Sequence, residues 1–502
     1  MKILNNAEAA TFMQQRVTGG LHTNNRNIKA GDGFIALPGY ISDGRQYVPE
    51  ALAAGASACL VDAQNVEKFS FDDDHIACVD NLKANLGAIA HMFYGAPSDT
   101  LKVITSTGTN GRTSTAWWVA QALTMLGARC GVIGTLGVGM PGATVSTGLT
   151  TPDAVTLHAT LRNFVDAGYS ACALEASSIG LAEHRLAAAQ IDVALFTNFT
   201  QDHLDYHGSM DAYWQAKRSL FSWPNLRTAV INIDDMHGAQ LAEEVQNTGL
   251  SVWTVSTSKP ASLTAKNIAF TPNGVAFQVI EDREIANINS TLIGEYNVSN
   301  LLVVLGGLRA LGYALTDAAA VACKLTPVPG RMEPVEQVNA MSRSLGPSII
   351  VDYAHTPDAL EKVLQALRPV ATARVGRLWC VFGCGGNRDA TKRPRMGAIA
   401  TRLADVAVIT SDNPRLEVPT TILAQIMDGA KQENAALNNV VIIEDRAAAI
   451  AHAIGCAATN DVVLLAGKGH EDYQDFAGVK HPFSDFVQAR VGLKLRTEGG
   501  AP

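Results

Sequence analysis

The stretch TSTGTNGRTSTA, residues 105–116, decides the fold of the central part of the chain. It follows an apolar, β-branched run, LKVITST (101–107), and leads into a helical pattern, TSTAWWVAQALTML (113–126). Glycines let backbone N–H groups close around a phosphate, and a helix N-terminus adds positive potential at the same place. The pattern predicts a nucleotide phosphate loop between a strand and a helix, and a plain glycine-rich turn is the alternative that these letters leave open.

Two positions depart from the usual phosphate-loop pattern, G-x-x-x-x-G-K-[ST]. Ser106 stands at the first glycine, and Arg112 stands at the lysine. Arg112 keeps the positive charge, but its planar head is wider than an ammonium group. Thr113 keeps the hydroxyl that would face magnesium. The loop is therefore either a working site with a changed cation or a site that has lost its function.

Strand-like runs alternate with helical stretches on both sides of this loop. The first series comprises LKVITST, ARCGVIGT (128–135), YSACALEAS (169–177), IDVALFTNF (191–199) and LRTAVINID (226–234). The second series comprises PSIIVDYAH (347–355), RLWCVFGCGG (377–386), DVAVITSDN (405–413), NNVVIIEDR (438–446) and DVVLLAGKG (461–469). Such alternation predicts an α/β fold with mostly parallel sheets that helices cover on both faces.

Boundary signals divide the chain into three domains. FYGAPSDTLK (93–102) separates a small α/β module from the phosphate-loop domain, and the proline-rich LTPVPGRMEPVE (325–336) precedes the second strand series as a hinge. We expect domains at 1–98, 99–326 and 327–502, the central one a phosphate-loop parallel sheet and the last one Rossmann-like. A chain of 502 residues suits three domains of about 150 residues each.

The bulk composition excludes several functional classes. The formal net charge is −8, which argues against a protein held mainly on nucleic acid or anionic lipid. The apolar run NLLVVLGGLRALGYAL (300–315) contains Arg309 and paired glycines, so it is a poor membrane span. The first residues are too polar for a secretory signal. We expect a monomeric cytoplasmic protein with reduced cysteines and small-molecule substrates.

Polar residues cluster where the predicted strands end. In LEASSIGLAEHRL (174–186), Glu175 suits a magnesium ligand, or it caps the following helix. In FTNFTQDHLDYHGSMDAYWQAKRSLF (196–221), His203 and His207 with nearby aspartates leave a zinc site open, and Lys217 alone is most simply a solvated helix lysine.

The last third of the chain is rich in arginine at its strand ends. FGCGGNRDATKRPRMG (382–397) is followed by SDNPRLEVP (411–419) and GKGHEDYQ (467–474). Arginine suits planar, bidentate recognition of a carboxylate. A solvated basic face is the alternative, and the interleaved aromatic residues that single-stranded nucleic acid requires are missing.

Taken together and in this order, these stretches resemble the Mur ligases of peptidoglycan synthesis. The resemblance runs from NNRNIKAGDGFIALPGYISDGRQYV (24–48) to GKGHEDYQ, and so covers nearly the whole chain. It implies an ATP- and Mg²⁺-dependent enzyme with an N-terminal domain that binds the uridine end of its substrate. ATP would phosphorylate the D-glutamate γ-carboxylate of UDP-N-acetylmuramoyl-L-alanyl-D-glutamate, and the amine of meso-diaminopimelate would attack the acyl phosphate.

The resemblance also implies a role for individual residues. ATP would be bound by Gly108, Thr109, Asn110, Gly111, Arg112, Thr113, Ser114, Asn297, Asn300, Arg331 and Asp352. The muramoyl dipeptide would meet Asn25, Arg26, Thr150, Thr151, Ser177 and Arg185. Diaminopimelate would meet Arg388, Asp412, Asn413, Pro414, Arg415, Gly467 and Glu471. Magnesium would be held by Thr113, Glu175 and His203, while Arg112, His203 and Lys217 would be catalytic, with Lys217 carbamylated to N6-carboxylysine.

Four departures from the family pattern stand beside Ser106. NNR (24–26) replaces the usual D-S-R, Ile179 replaces a common histidine, and Glu183 replaces a glutamine that often binds substrate. Arg112 is the largest departure. Two rivals remain: a ligase of the same fold such as folylpolyglutamate synthase, and a non-catalytic relative that binds nucleotide and acts as a scaffold.

Overall fold

Three sheets and a short hairpin organise the computed structural model, which describes residues 2–39, 42–271, 274–335 and 346–497. The first sheet has four parallel strands in the order β1-β2-β3-β4. Its elements are α1 (Asn6–Arg16), β1 (Leu21–His22), β2 (Gly33–Ala36), α2 (Val48–Ala53), β3 (Ala58–Asp62), β4 (Ile76–Val79) and α3 (Leu82–Phe93).

The central sheet has eleven strands. Its strands are β5 (Lys102–Thr107), β6 (Cys130–Gly134), β7 (Gly137–Met140), β8 (Ala143–Val145), β9 (Ala171–Glu175), β10 (Val193–Phe196), β11 (Thr228–Asn232), β12 (Ser251–Ser256), β13 (Leu263–Thr271), β14 (Gly274–Glu281) and β15 (Glu284–Ser290). Its helices are α4 (Arg112–Met125), α5 (Ala154–Asp166), α6 (Ser178–Ala182), α7 (Leu204–His207), α8 (Met210–Arg218), α9 (Met236–Val245), α10 (Glu295–Ala310) and α11 (Leu315–Ala322).

The strand order of this sheet is β15-β14-β13-β12-β11-β10-β5-β9-β6-β7-β8. Pairing is parallel from β13 to β6 and antiparallel at both ends. One buried core packs α4, α10 and α11 on one face, and a second packs α5 and α9 on the other, as the alternation of strands and helices predicts. The strand order reverses next to β5, and open α/β sheets bind ligands at such a point.

The third sheet has the order β16-β17-β21-β18-β19-β20, parallel except at the β16 edge. Its elements are β16 (Glu333–Pro334), β17 (Ser348–Asp352), α12 (Pro357–Ala373), β18 (Leu378–Phe382), α13 (Lys392–Leu403), β19 (Val406–Ile409), α14 (Pro419–Glu433), β20 (Val440–Ile442), α15 (Arg446–Cys456) and β21 (Val462–Ala466), followed by the hairpin β22 (Tyr473–Phe476) and β23 (Val479–Pro482) and by α16 (Asp485–Thr497).

The predicted fold class is confirmed, and every strand-like run quoted above holds a strand. The predicted boundaries at 98/99 and 326/327 fall between the sheets and stay predictions, as does the hinge, whose last residue, Glu336, lies outside the described residues. None of the helices in the described ranges combines the length and apolarity needed to cross a bilayer.

Candidate active site

The loop between β5 and α4 depends on two glycines at its turns. Gly108 and Gly111 both have positive φ, at 145° and 85°. A Cβ added at Gly108 would lie 2.0 Å from Thr197 Oγ1, and one at Gly111 would lie 2.4 Å from Asn300 Oδ1. The loop therefore packs directly against the end of β10 on one side and against α10 on the other.

Asn110 fixes the tip of the loop to the neighbouring strand. Its backbone N–H donates to Asn198 Oδ1 at 2.9 Å, while Asn198 Nδ2 and Thr197 Oγ1 donate to its carbonyl at 2.9 and 2.7 Å. These contacts join the ends of β5 and β10, where the strand order reverses. These hydrogen bonds hold the loop at the carboxyl edge of the sheet, where ligands bind in such folds.

Arg112 folds back onto its own loop. Its Nη1 donates to the carbonyls of Gly108 and Thr109, the latter at 3.2 Å, and its Nε is buried without a hydrogen-bond partner. Ser106 has a role as well, because its hydroxyl donates to the Arg112 carbonyl at 3.2 Å and supports the first turn of α4. The guanidinium thus stays at the loop, with donors left over for a phosphate.

Lys217 is buried. Taken alone, its sequence context favours a solvated lysine on the surface of a helix, and that interpretation is wrong. The side chain on α8 has no exposed surface, and Nζ donates to the Gly108 carbonyl beside Arg112. Nζ also lies 4.5 Å from the ring centroid of Tyr213. Burial, aided by Arg112, holds the pKa of Lys217 well below its ordinary value, which favours a neutral amine.

Glu175 lies in an oxygen-rich cluster and does not cap a helix. Its Oε2 accepts from Thr113 Oγ1 at 2.9 Å and from Thr135 Oγ1 at 3.1 Å, and its Oε1 accepts from the Thr135 N–H at 2.8 Å. Ser177 caps α6 instead. Magnesium takes hard oxygen ligands and commonly keeps one or two carboxylates with substrate phosphates, so this donor set fits it.

Four of the six residues predicted for the muramoyl dipeptide lie together beside this cluster. Thr150 Oγ1 lies 3.0 Å from Thr135 Oγ1, and Thr151 Oγ1 accepts from Ser177 Oγ at 3.0 Å. Arg185 Nη1 donates to the Thr151 carbonyl at 2.9 Å. The structure therefore brings four of the six predicted residues together.

The other two, Asn25 and Arg26, lie apart from them in a 3₁₀ turn (Asn25–Asn27) of the N-terminal domain. Asn25 Nδ2 donates to Glu50 Oε2 at 3.0 Å, and Arg26 is exposed. They line neither of the two cavities described below.

Glu183, whose extra negative charge is unexpected beside an anionic ligand, is paired. Its carboxylate contacts the Lys83 ammonium, on α3 of the N-terminal domain, and accepts from the Tyr206 hydroxyl. The charge is therefore balanced across a domain boundary.

A cavity of about 680 Å³ opens above the phosphate loop; we call it the loop cavity. Its walls include Thr113 and Arg112 from the loop, Asn297 and Asn300 from α10, Arg331 from the predicted hinge, and Asp352 from the end of β17. Arg331 stacks on the Tyr353 ring at 4.3 Å, and Asp352 accepts the backbone N–H groups of Met332 and Ala354. All residues predicted for the adenosine side thus line one wall.

A second cavity, of about 560 Å³, lies at the carboxyl ends of β18, β19 and β21; we call it the arginine cavity. Arg388 and Arg415 line it together with Asp412, Asn413 and Glu471. Arg415 has φ 53°, a left-handed conformation that costs a non-glycine residue about 1–2 kcal/mol, and its Nη1 donates to the Gly386 carbonyl at 2.8 Å. Gly467 also lines the cavity, whereas Pro414 is buried beside it.

The two cavities share four wall residues: Asp202, His203, Tyr353 and His355. Burial lowers the pKa of His203 below its ordinary value against the opposing charge of Asp202, and it lowers the pKa of His355 to about 4. Both imidazoles are thus neutral near pH 7. The loop cavity and the arginine cavity therefore meet at a junction where groups bound in each would come together.

The zinc interpretation of residues 196–221 finds no support. His207 Nε2 lies 3.0 Å from Ser178 Oγ, and within the described ranges no three His, Cys, Asp or Glu side chains are grouped as metal ligands.

The structure adds residues that were not predicted from sequence. Four of them line these cavities: Thr135, Asn198, Asp358 and Lys362. A fifth, Lys468, is buried and contacts Asp412 and Glu471 in the wall of the arginine cavity. Thr135 and Asn198 each follow a strand that was correctly predicted, so the rule that sites form at strand ends could have found them. The same rule could have found Lys468, which stands in the loop after β21. Asp358 and Lys362 carried no such signal, because they lie on α12 and reach the site through a contact with the distant Asn110.

Matches to known families cover all three parts of the chain. Residues 18–94 match "Mur ligase family, catalytic domain", residues 107–308 match "Mur ligase middle domain", and residues 330–469 match "Mur ligase, glutamate ligase domain".

Among curated proteins, the chain is 54% identical to the UDP-N-acetylmuramoyl-L-alanyl-D-glutamate--2,6-diaminopimelate ligase of Acidovorax sp. (strain JS42), with 97% of each chain covered. It is 47% identical to the protein of the same name from Pseudomonas aeruginosa, with 94% of each covered.

Solved structures agree in fold. A UDP-N-acetylmuramoyl-L-alanyl-D-glutamate--2,6-diaminopimelate ligase superposes with a TM-score of 0.66 at 33% identity, covering 95% of each chain. The MurF ligase of Thermotoga maritima in complex with ADP gives 0.68 at 18% identity, covering 97% of this chain and 99% of that one. Folylpolyglutamate synthase from Mycobacterium tuberculosis gives 0.61 at 19% identity, covering 81% and 93%, a likeness of fold alone. With its three domains matched in order and a relative identical at over half of the aligned positions, the chain belongs to the Mur ligase family.

Proposed function

We propose that the protein is an ATP-dependent carboxylate–amine ligase that joins meso-diaminopimelate to the D-glutamate γ-carboxyl of UDP-N-acetylmuramoyl-L-alanyl-D-glutamate. The observation that carries this proposal is the junction of the two cavities. One is lined by the phosphate loop, the other is lined by Arg388 and Arg415 together with carboxylates, and both are lined by His203 and His355. The names of the most similar curated relatives support the choice of substrates.

The loop cavity suits ATP. The loop's N–H groups and the start of α4 would hold the phosphates, and Asn297, Asn300, Arg331 and Asp352 would hold the adenosine end. Arg112 would use its free donors on a phosphate oxygen.

Magnesium fits the oxygen cluster of Thr113 and Glu175, where it would neutralise phosphate charge when bound. His203 lines the same cavity as Thr113 and is a further ligand by this proposal. Gly134 leaves room for the Glu175 carboxylate, because a Cβ there would lie 2.2 Å from Oε1.

The dipeptide would bind beside Thr150, Thr151, Ser177 and Arg185, so that the γ-carboxylate of its D-glutamate reaches the loop cavity. Arg185 and the hydroxyl groups would orient it. The acceptor amine would approach from the arginine cavity. Holding both reactants in line makes a bimolecular step effectively unimolecular, and this effect accounts for much of the rate acceleration in such reactions.

The acceptor is chosen by the arginine cavity. Meso-diaminopimelate differs from L-lysine by a second carboxylate, and Arg388 and Arg415 line the cavity in which that group would lie. We expect the unmodified protein to turn over meso-diaminopimelate in strong preference to L-lysine. Arg415→Ala should remove most of this preference, a loss of about 2–4 kcal/mol in kcat/KM for a desolvated charge pair.

Phosphate release measured across a panel of acceptor amino acids tests this directly. Arg402→Ala is the matched control, because Arg402 pairs with Glu361 on the exposed side of the same domain. Equal turnover of L-lysine by the unmodified protein would contradict the assignment and favour another ligase of the same fold.

A further inference from the structure

Lys468 is a fully buried cation in the loop that follows β21. Its Nζ lies 3.1 Å from Asn413 Oδ1, 3.0 Å from Glu471 Oε2 and 3.6 Å from Asp412 Oδ1. Glu471 Oε2 also accepts from Asn413 Nδ2 at 2.8 Å. One ammonium group therefore ties together three residues that line the arginine cavity.

The charges in this group do not cancel. Lys468 contributes one positive charge, and Asp412 and Glu471 contribute two negative charges. Arg446 lies nearby, but it makes a bidentate pair with Asp485 at 2.7 Å for both contacts, and both side chains are fully buried. That pair is neutral by itself, so Lys468, Asp412 and Glu471 carry one net negative charge among themselves, and Lys392 of α13 faces Asp412 as a further cation.

Asp412 has an oxygen that is ready for a ligand. Its Oδ1 is buried and has no hydrogen-bond partner, since the Lys468 ammonium at 3.6 Å is too far for one. Asp412 lines the arginine cavity, and Gly467 leaves the space beside its carboxylate open, since even a Cβ there would lie 3.8 Å from Asp412 Cγ. An unsatisfied buried carboxylate oxygen in a cavity wall fits an incoming N–H donor.

The cations of the cavity lie on other elements, and so do its further carboxylates, which are Asp202, Asp205, Asp358 and Asp389. Arg388, Lys392 and Arg395 come from α13 and the loop before it, and Arg415 comes from the loop after β19. Lys392 donates to the His355 carbonyl at 2.8 Å, and Arg395 donates to Gln201 Oε1 at 3.3 Å. The cavity thus offers negative charge around Asp412 and positive charge from these residues, the polarity that an amino acid requires.

We propose that Lys468 is a positioning residue for the acceptor: it holds Glu471 and Asn413 in place beside Asp412, so that these carboxylates bind the ammonium group of the acceptor's amino-acid end. This assignment rests on the proposed function and deepens it. Lys468 does not touch the acceptor. It acts by preventing two carboxylates from facing each other without a cation, a state in which one of them would take up a proton.

Lys468→Met keeps the length of the side chain and removes the charge. Lys480→Met is the matched control, because Lys480 lies on exposed β23, 4.0 Å from the Tyr473 ring that Lys468 also faces at 5.6 Å. With Lys468→Met we expect the KM for meso-diaminopimelate to rise on the order of tenfold, while the KM for ATP changes by less than about twofold. Lys480→Met should change neither.

The pH profile separates positioning from a merely structural role. Lys468 is one of the cations that lower the pKa of Asp412. Without it that pKa should rise, so the acid limb of kcat/KM for meso-diaminopimelate should move to higher pH by about half a unit or more. Equal increases in the KM of all three substrates with an unchanged profile would overturn the proposal, because a loosened fold would produce that result.

The thermal stability of Lys468→Met tests the role of Lys468 independently of the proposed ligase activity, and its pH dependence depends on the titratable groups around Asp412. Groups facing Asp412 are Lys468, Arg446, Lys392 and His355; Tyr353, Tyr473 and His470 complete the surroundings of the pair. Burial lowers the pKa of His355 to about 4 and that of His470 to about 3, so both imidazoles stay neutral above pH 5.

Burial raises the pKa of Asp412, but Lys468 and the other cations outweigh it and hold that pKa below its ordinary value. The stability that this lowering contributes is present at neutral pH and lost as pH falls through the folded pKa. In Lys468→Met the pKa of Asp412 should be higher than in the unmodified protein. Its carboxylate would then take up a proton in mild acid, which removes the repulsion between Asp412 and Glu471. The Tm deficit of this variant should therefore be larger near pH 7.5 than near pH 5, roughly twofold.

An equal Tm deficit at both pH values would overturn the charge argument whatever the activity. A second outcome separates the two proposals. If the unmodified protein released no phosphate with meso-diaminopimelate, but the Tm deficit of Lys468→Met were still smaller near pH 5 than near pH 7.5, the proposed function would fail and the charge balance around Lys468 would stand.

Discussion

Arg112 and Lys217 converge on one atom, the carbonyl oxygen of Gly108. Two cations that share an acceptor repel each other, and the buried one responds by losing its proton more readily. Burial lowers the pKa of Lys217 most, and the charge of Arg112 beside it lowers that pKa further. The cation at position 112 therefore acts on Lys217 as well as on a phosphate bound by the loop.

The first prediction concerns Arg112. Arg112→Lys should retain or raise the rate, because a lysine reaches phosphate as a compact point charge and needs less room. Arg112→Ala should lose on the order of 10²-fold or more in kcat, as for one transition-state charge contact. Isothermal titration with Mg-ATP, alongside turnover, checks this. Absence of binding to the unmodified protein and its restoration in Arg112→Lys would favour the scaffold alternative.

The second prediction concerns Lys217. A neutral buried amine can react with CO₂ to form a carbamate, so bicarbonate should raise the activity of the unmodified protein. Lys217→Ala should be inactive and should regain part of its rate with a short carboxylic acid such as acetate. Acetate added to the unmodified protein is the control and should have no such effect. Full activity of Lys217→Ala without added acid would contradict a role for carbamylated Lys217 in the reaction.

Among the elements, strands buried on both faces were readable from sequence because they appear as continuous apolar runs ending in glycine or polar residues. The antiparallel strands β13 to β15 were not predicted, although their alternating residues carry that signal. Contacts between elements could not be read at all. Glu175 meets Thr135 across 40 positions, and only the strand order β9-β6 brings the two together.

The third prediction concerns the two ends of α4. Gly108→Ala should abolish Mg-ATP binding, because the new Cβ would lie 2.0 Å from Thr197 Oγ1 at a φ of 145°. Gly127, beyond the other end of the helix, also has positive φ, but nothing lies within 4 Å of its added Cβ.

Gly127→Ala is therefore the matched control: it should cost about 1 kcal/mol of stability and leave the Kd for Mg-ATP unchanged. Thermal melts and nucleotide titration measure both effects. Equal nucleotide affinity in the two variants would contradict the role given to the loop turn.

In the whole molecule, the site is completed only when domains meet. Asn110 Nδ2, at the tip of the phosphate loop, donates to Asp358 Oδ2 on α12 at 2.8 Å, and Lys362 reaches the same oxygen at 3.1 Å. On the other side, Lys83 of the N-terminal domain contacts Glu183 of the central domain. The family resemblance could indicate which residues belong to the site, but these links depend on how the domains lie against each other.

The fourth prediction concerns the link between Asn110 and Asp358. A double-mutant cycle with alanine at both positions should show a coupling of about 0.5–1.5 kcal/mol in kcat/KM for ATP, the net value of one hydrogen bond. The cycle on Arg402 and Glu361, which joins α12 and α13 within one domain, should show none. Additive effects at Asn110 and Asp358 would mean that this contact plays no part in the reaction.

The central claim is that one reaction consumes a nucleotide, a muramoyl dipeptide and a diamino acid in the joined cavities. Phosphate release with each substrate omitted in turn, with the product identified by mass, tests it most directly. We expect phosphate only when ATP, UDP-N-acetylmuramoyl-L-alanyl-D-glutamate and meso-diaminopimelate are all present, together with a product heavier than the dipeptide by one diaminopimelate less water. Phosphate release that is indifferent to the acceptor, or no product of that mass, would contradict it.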